Sequence, residues 1–200
     1  LAVDMLTPDD LKEFQKAHVD PFGHPLTPDG INGPKTQWAL DLFTCSPRRR
    51  AIVARAQSAL GVTEEPPGSN RGPRIDEWLQ RCHVSTGQPW CAAFASWCLD
   101  TVAIAGALAL GTGLPVTSMP MAGDVMFFAT GGGKGHCGIV LGVSTHEVMT
   151  IEGNCSDAVR VVRRARDLVR FGCTGIDVQG TCPASVVSVP FMATSVEGTR

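Results

Sequence analysis

Gly135-His136-Cys137-Gly138-Ile139-Val140-Leu141-Gly142-Val143, then Ser144-Thr145-His146, then Glu147-Val148-Met149-Thr150-Ile151-Glu152-Gly153-Asn154 is the stretch that decides the fold. Apolar runs on both sides of a short polar trio predict a β-hairpin with Ser144-Thr145-His146 as its loop. Such a loop pairs Val143 with Glu147 and sets His136 opposite Asn154, with Glu152 a diagonal neighbour on the same face. A one-residue slip would carry Glu152 to the other side, so everything depends on register. Gly138 and Gly142 share the His136 face, which leaves room for a helix to lie close against the sheet. Cys137 is expected to face away from His136 by strand alternation.

Upstream of the hairpin, Val125 to Ala129 is another short apolar run. Ahead of that the pattern is helical: Ala51 to Leu60, Ile75 to Cys82, and a buried helix from residue 91 to 110. Helices first and strands afterwards imply an α+β domain with helices packed on an antiparallel sheet. The arginines at 160, 163, 164, 166 and 170 form a local basic run, which reads as a solvated face.

The helix at 91 opens with Gln88-Pro89-Trp90-Cys91-Ala92-Ala93-Phe94. Pro89 breaks the chain just before Cys91, so the cysteine falls at or near a helix N-terminus. Unpaired N–H groups and the positive end of the helix dipole there favour thiolate over thiol. The same N–H groups can stabilise an oxyanion on an attacked carbonyl. Cys98, two turns in, reads as a core thiol. Cys91, His136 and Glu152 supply a nucleophile, a base and an orienter from separate elements, with Asn154 able to take the orienting role instead or to brace Glu152 and substrate. Gln88 and Trp90 are candidates for oxyanion or substrate contact.

Composition narrows the alternatives. In 200 residues, 44% are hydrophobic, enough for a core and too many for a disordered chain. A net charge of −2 from 17 basic and 19 acidic side chains gives no field for holding nucleic acid. Residues Thr101 to Leu114 are uncharged but shorter than the ~20 apolar residues of a spanning helix, so no stable membrane insertion is expected. The opening LAVDMLTPDDLKEF has neither basic nor apolar leader regions, so no signal peptide is seen. Eight cysteines, with no C-x-x-C pair, suggest neither a zinc ribbon nor thioredoxin chemistry. If Cys91 stays free, an odd number remains, and complete disulfide pairing within the chain is impossible.

Residues 1–45 form a separate unit of two short helices. Thr7 and Pro8 mark the first start, and a second helix from Thr36 buries Trp38 or Ala39 with Leu40 and Phe43. Residues 46–50, Ser46-Pro47-Arg48-Arg49-Arg50, read as a linker to a catalytic unit at 51–200. Phe14-Gln15 followed by Asp29-Gly30-Ile31-Asn32-Gly33-Pro34-Lys35-Thr36-Gln37-Trp38 resembles the peptidoglycan-binding domain found beside bacterial and phage cell-wall hydrolases. That resemblance implies wall contacts at Asp29, Asn32, Lys35 and Trp38, although Asn32 stands where an aromatic is common.

From about Ala51 to Val178 the chain resembles the CHAP family, cysteine, histidine-dependent amidohydrolases/peptidases of the papain-like group. The matching motifs, in order, are Pro89-Trp90-Cys91-Ala92, Gly123-Asp124-Val125, Gly135-His136-Cys137-Gly138-Ile139-Val140 and Glu152-Gly153-Asn154. The resemblance implies a papain-like CHAP domain with Cys91 as nucleophile, His136 as general base and acid, and Glu152 and Asn154 in support. It implies bacterial peptidoglycan as partner, no cofactor, and a monomer; without an Asp-rich series, no metal is expected. A phage endolysin would stay in the host cytoplasm until its release to the wall, and a bacterial relative would be secreted. A thiol amidase or peptidase acting on small peptides uses the same residues. A silent wall-binding protein and a thiol-based redox sensor are the readings from other classes.

Overall fold

The protein's computed structural model describes residues 6–175 and has the α+β class read from the sequence. Six helices come first: α1 (Pro8–Ala17), α2 (Pro34–Thr44), α3 (Pro47–Ser58), α4 (Pro73–Arg81), α5 (Cys91–Leu99) and α6 (Ala107–Thr112). Five strands follow: β1 (Val125–Gly131), β2 (Lys134–Val143), β3 (Glu147–Cys155), β4 (Ala158–Ala165) and β5 (Arg170–Gly172), in the antiparallel order β4-β3-β2-β1-β5. Among the described residues no helix is long and apolar enough to cross a membrane.

Local chemistry explains the helix starts. Thr7 caps α1 by accepting from the Asp10 N–H, and the Asp10 carboxylate accepts from the Thr7 N–H in return. Pro34 opens α2 two residues before the expected start, with proline tolerated where the N–H would be unpaired anyway. The helix buries Trp38, Ala39 and Leu40, while Phe43, expected among the buried residues, is exposed at 48% with the Arg50 guanidinium over its ring. Residues 46–50 are not extended chain: Ser46 caps α3 and Pro47 begins it. Arg49 then points into the interior, where its Nη1 donates to Asp124 Oδ1 at 2.7 Å with both side chains buried.

The expected helix from 91 to 110 is two helices. Asp100 adopts a left-handed conformation (φ 64) that closes α5, and its carboxylate is held by Arg55 and Arg81. Every residue of α5 except Trp97 is buried, so α5 is the centre of the core.

The sheet register differs from expectation at the loop and agrees with it at the site. Val143 pairs with Val148, not with Glu147, because the turn is one residue longer. A bulge at Leu141 then absorbs the offset, so that Val140 faces Thr150 and Ile139 faces Ile151. Gly138 then lies beside Glu152, while the ladder ends before the expected His136–Asn154 pair. The Leu141 carbonyl accepts from the Trp38 indole N–H at 2.8 Å. A residue of the N-terminal helices thereby satisfies the bulge that aligns the hairpin.

Alternation gives the sheet two different faces. Cys137, Ile139, Leu141 and Ile151 pack with the helices, whereas Met126, Val140, Val148 and Phe171 form a second cluster on the far side. Gly138 does not admit α5, contrary to expectation. A Cβ at Gly138 would lie 2.6 Å from Glu152 Cγ, so its missing side chain makes room for the glutamate. Gly153 is the glycine that admits the helix, since a Cβ there would come within 2.7 Å of Phe94 Cβ and 2.8 Å of the Trp90 ring. Helix α5 rests on that bare strand position.

Candidate active site

Cys91 is the first residue of α5, with Trp90 as its N-cap. Trp90 is fully buried and its indole N–H donates to Glu64 Oε1 at 2.9 Å, while Glu64 Oε2 accepts from the Asn70 N–H. Trp90 is therefore anchored inside the protein and cannot touch substrate, as the sequence suggested it would; it fixes where α5 begins. Gln88 lies exposed in the preceding loop.

Cys91 meets β2 at two successive residues, the His136 ring and the Cys137 thiol and N–H. His136 in turn shares a 2.8 Å hydrogen bond between its Nε2 and Glu152 Oε2, which leaves Nδ1 for Cys91. Asn154 does not join this chain. It has a left-handed backbone (φ 55) leading into the β3–β4 turn, and its side-chain amide donates to Asn70 Oδ1 at 3.1 Å. Of the two candidates to orient the imidazole, Glu152 is the one in contact.

Glu152 is held tightly. Its buried carboxylate accepts from Arg164 Nε at 2.6 Å, Arg164 Nη2 at 2.5 Å and the Thr150 hydroxyl at 2.7 Å, besides His136. Arg164 thus leaves the solvated face that its neighbours suggested. It is half-buried, with its guanidinium 4.8 Å above the Phe128 ring. The signal that could have found it is parity: read as a strand, Val159 to Ala165 puts Arg164 on the same sheet face as Thr150 and Glu152.

These contacts set the protonation states. The Cys137 thiol hydrogen-bonded to Cys91, outweighing burial and joined by His136, brings the Cys91 thiol down to about 5. Cys137 itself is pushed well above the ordinary thiol range, first by that same bond and then by burial, so it stays protonated and donates. Burial alone would lower His136, but its bonds to Cys91 and Glu152 prevail and raise it to about 9. Burial likewise opposes charge on Glu152, yet Arg164 and His136 hold its carboxyl down to about 2. Between about 5 and about 9 the pair is a thiolate beside an imidazolium.

The other cysteines are of a different kind. Among the described residues Cys82, Cys98, Cys137, Cys155 and Cys173 are free of disulfides, and burial pushes the Cys98 thiol well above its usual range. Cys182 lies outside the described residues. No group of three or more His, Cys, Asp or Glu that could hold a metal ion occurs among the described residues.

The candidate wall contacts separate into two sets. Trp38 is core and serves the fold where wall contact was expected, while Lys35 pairs with the buried Asp20 at 2.6 Å and stays about half exposed. Asp29 and Asn32 are exposed; Asp29 accepts from Gln15, and Asn32 donates to Gln37.

The CHAP domain family model matches residues 83–154, a span that contains Cys91, His136, Glu152 and Asn154 and stops short of Arg164. No curated protein and no solved structure matches the chain. The family match supports a hydrolase of the amidase or peptidase kind with peptidoglycan as its substrate class.

Proposed function

We propose that this protein cleaves an amide bond of the bacterial wall peptide by cysteine nucleophile catalysis, as an N-acetylmuramoyl-L-alanine amidase or a peptidoglycan endopeptidase, in the setting of a phage endolysin. The observation that carries the reading is the continuous contact from Cys91 at a helix N-terminus through His136 to the buried Glu152. The Cys91 thiolate attacks the amide carbonyl, and N–H groups in the first turn of α5 receive the charge that develops on oxygen. The His136 imidazolium protonates the departing amine, after which the neutral ring takes a proton from water as that water attacks the thioester. Glu152 keeps the ring oriented through both half-reactions and stabilises its charged form.

Residues 1–45 act in this reading as a wall-docking unit and residues 51–200 as the catalytic unit. Support comes from the Asp29-to-Trp38 resemblance and the exposure of Asp29 and Asn32. The shared core between the helical region and the sheet makes the docking unit also a structural one.

Mass spectrometry of purified sacculi digested by the wild type and by Cys91→Ala tests the proposal. New amine and carboxyl ends, present only with wild type, identify the bond cut. Intact sacculi together with a Cys91 that still reacts with iodoacetamide would refute wall hydrolysis.

A further inference from the structure

Buried carboxylates need compensation at every stage of a reaction cycle, not only in the resting state. Glu152 is fully buried, and its catalytic neighbour is a poor permanent counter-ion because His136 must give up its proton to the leaving amine. At that moment a Glu152 paired with His136 alone would be an isolated anion in the protein interior. It would recover the proton, or hold the imidazolium so firmly that the leaving group is starved of it.

Arg164 removes that difficulty by geometry. Its Nε and Nη2 span both carboxylate oxygens, while Thr150 donates to Oε1 and His136 contacts Oε2. The four charges then alternate in sign from Arg164 through Glu152 and His136 to Cys91. The reach is diagonal, because Arg164 stands opposite Val148 on β3 and must pass Thr150 to arrive at Glu152. The Phe128 ring steadies both ends: the guanidinium lies 4.8 Å above it, and its centroid is 5.6 Å from that of His136, its partner across the β1–β2 ladder. The titratable and charged groups facing Glu152 are His136 and Cys137 on β2, Cys155 on its own strand, and Arg160 and Arg164 on β4. Among these, Arg164 and His136 are the ones hydrogen-bonded to its carboxylate.

We propose that Arg164 is a positioning residue for hydrolysis: it fixes the Glu152 carboxylate and keeps it ionised while His136 loses and regains its proton. This rests on the reading of Cys91 and His136 as the reacting pair, and it adds a residue outside the 83–154 family match.

Two pH profiles test it, one for muropeptide release from sacculi and one for Cys91 alkylation by iodoacetamide, which needs no wall substrate. Arg164→Gln is expected to lower kcat about 10–100-fold at unchanged KM, the scale seen when a supporting hydrogen bond is lost. With the nearby opposite charge gone, Glu152 titrates within the working range and the acid limb of both profiles moves up by about 1–3 pH units. Arg164→Lys keeps the charge but not the two-point contact, so it should restore most of the acid limb while kcat stays reduced.

Wild-type profiles in folded Arg164→Gln would overturn the role of Arg164 and leave wall hydrolysis standing. A shifted alkylation limb in a protein that never cuts sacculi would do the reverse. If Arg164→Gln fails to fold, Arg164→Lys decides alone: unchanged kcat and an unchanged limb refute positioning by the bidentate contact.

Discussion

Replacing Gly153 by alanine tests whether the sheet and α5 meet as closely as the site requires. The added Cβ would sit 2.7 Å from Phe94 Cβ, 2.8 Å from the Trp90 ring and 2.9 Å from Phe94 Cγ. Ordinary carbon contacts lie at ~3.5–4.0 Å, so about 1 Å of overlap must be relieved. Neither ring can give way locally: Trp90 is pinned by Glu64, and Phe94 is buried against Trp78 and Trp97. The helix must lift as a unit, and Cys91 is its first residue. Overpacking of this kind costs about 2–3 kcal/mol, which for a chain of this length lowers Tm by roughly 5–10 °C. A ~1 Å displacement of the thiol from His136 should cost about 10²-fold in turnover. Thermal melts and muropeptide release read the two effects separately. Gly33→Ala is the control, since a Cβ there meets nothing within 4 Å and the loss should stay below ~1 kcal/mol. If Gly153→Ala melts and cleaves like wild type, the close helix–strand approach is not what positions Cys91.

Iodoacetamide should label Cys91 on a plateau between about pH 5 and about pH 9, already reached at pH 7 where the rate at an ordinary thiol, only a few per cent ionised, is still rising with pH; peptide mapping across pH checks this. Glu152, whose carboxyl is lowered in the fold to about 2, contributes stability that is present above its ordinary value of 4.5 and is lost as pH falls toward 2; acid melts should show this, and Glu152→Gln should remove that part of the dependence. Asp124→Ala removes the carboxylate from the buried Arg49, leaving its guanidinium the Ala122 and Gly175 carbonyls, and should cost ~3–5 kcal/mol in urea unfolding, while Arg49→Met combined with Asp124→Leu should recover most of it; equal losses in both would refute the buried ion pair as the cause. Trp38→Phe leaves the Leu141 carbonyl at the bulge without its indole donor and should cost about 1–3 kcal/mol, with a fall in turnover if the bulge sets the hairpin register.

Much of the site is readable from the chain because its logic is local. Pro89 before a run of small apolar residues makes Cys91 a helix start, and two apolar runs around a polar trio make a hairpin, with no reference to distant contacts. The diagonal His136–Glu152 relation also follows from alternation, although the register survives for a reason the sequence hides. The turn is a residue longer than expected, and the Leu141 bulge cancels the error. A bulge is stabilised by whatever satisfies its free carbonyl, here an indole from more than a hundred residues upstream, so no local pattern announces it.

Periodicity and helix-start chemistry in the sequence alone therefore determined the α+β class, the helix that presents Cys91 and the strand that presents His136. The tertiary structure decided which groups complete the site. It chose Glu152 over Asn154, buried Trp90 and Trp38 although substrate or wall contact had been assigned to them, set the Cys137 thiol against Cys91, and drew Arg164 out of a basic run onto the glutamate. The physical reason is that periodicity records which side of an element is apolar. The partner of a buried charge is set by which strands become neighbours and by what must be neutralised there.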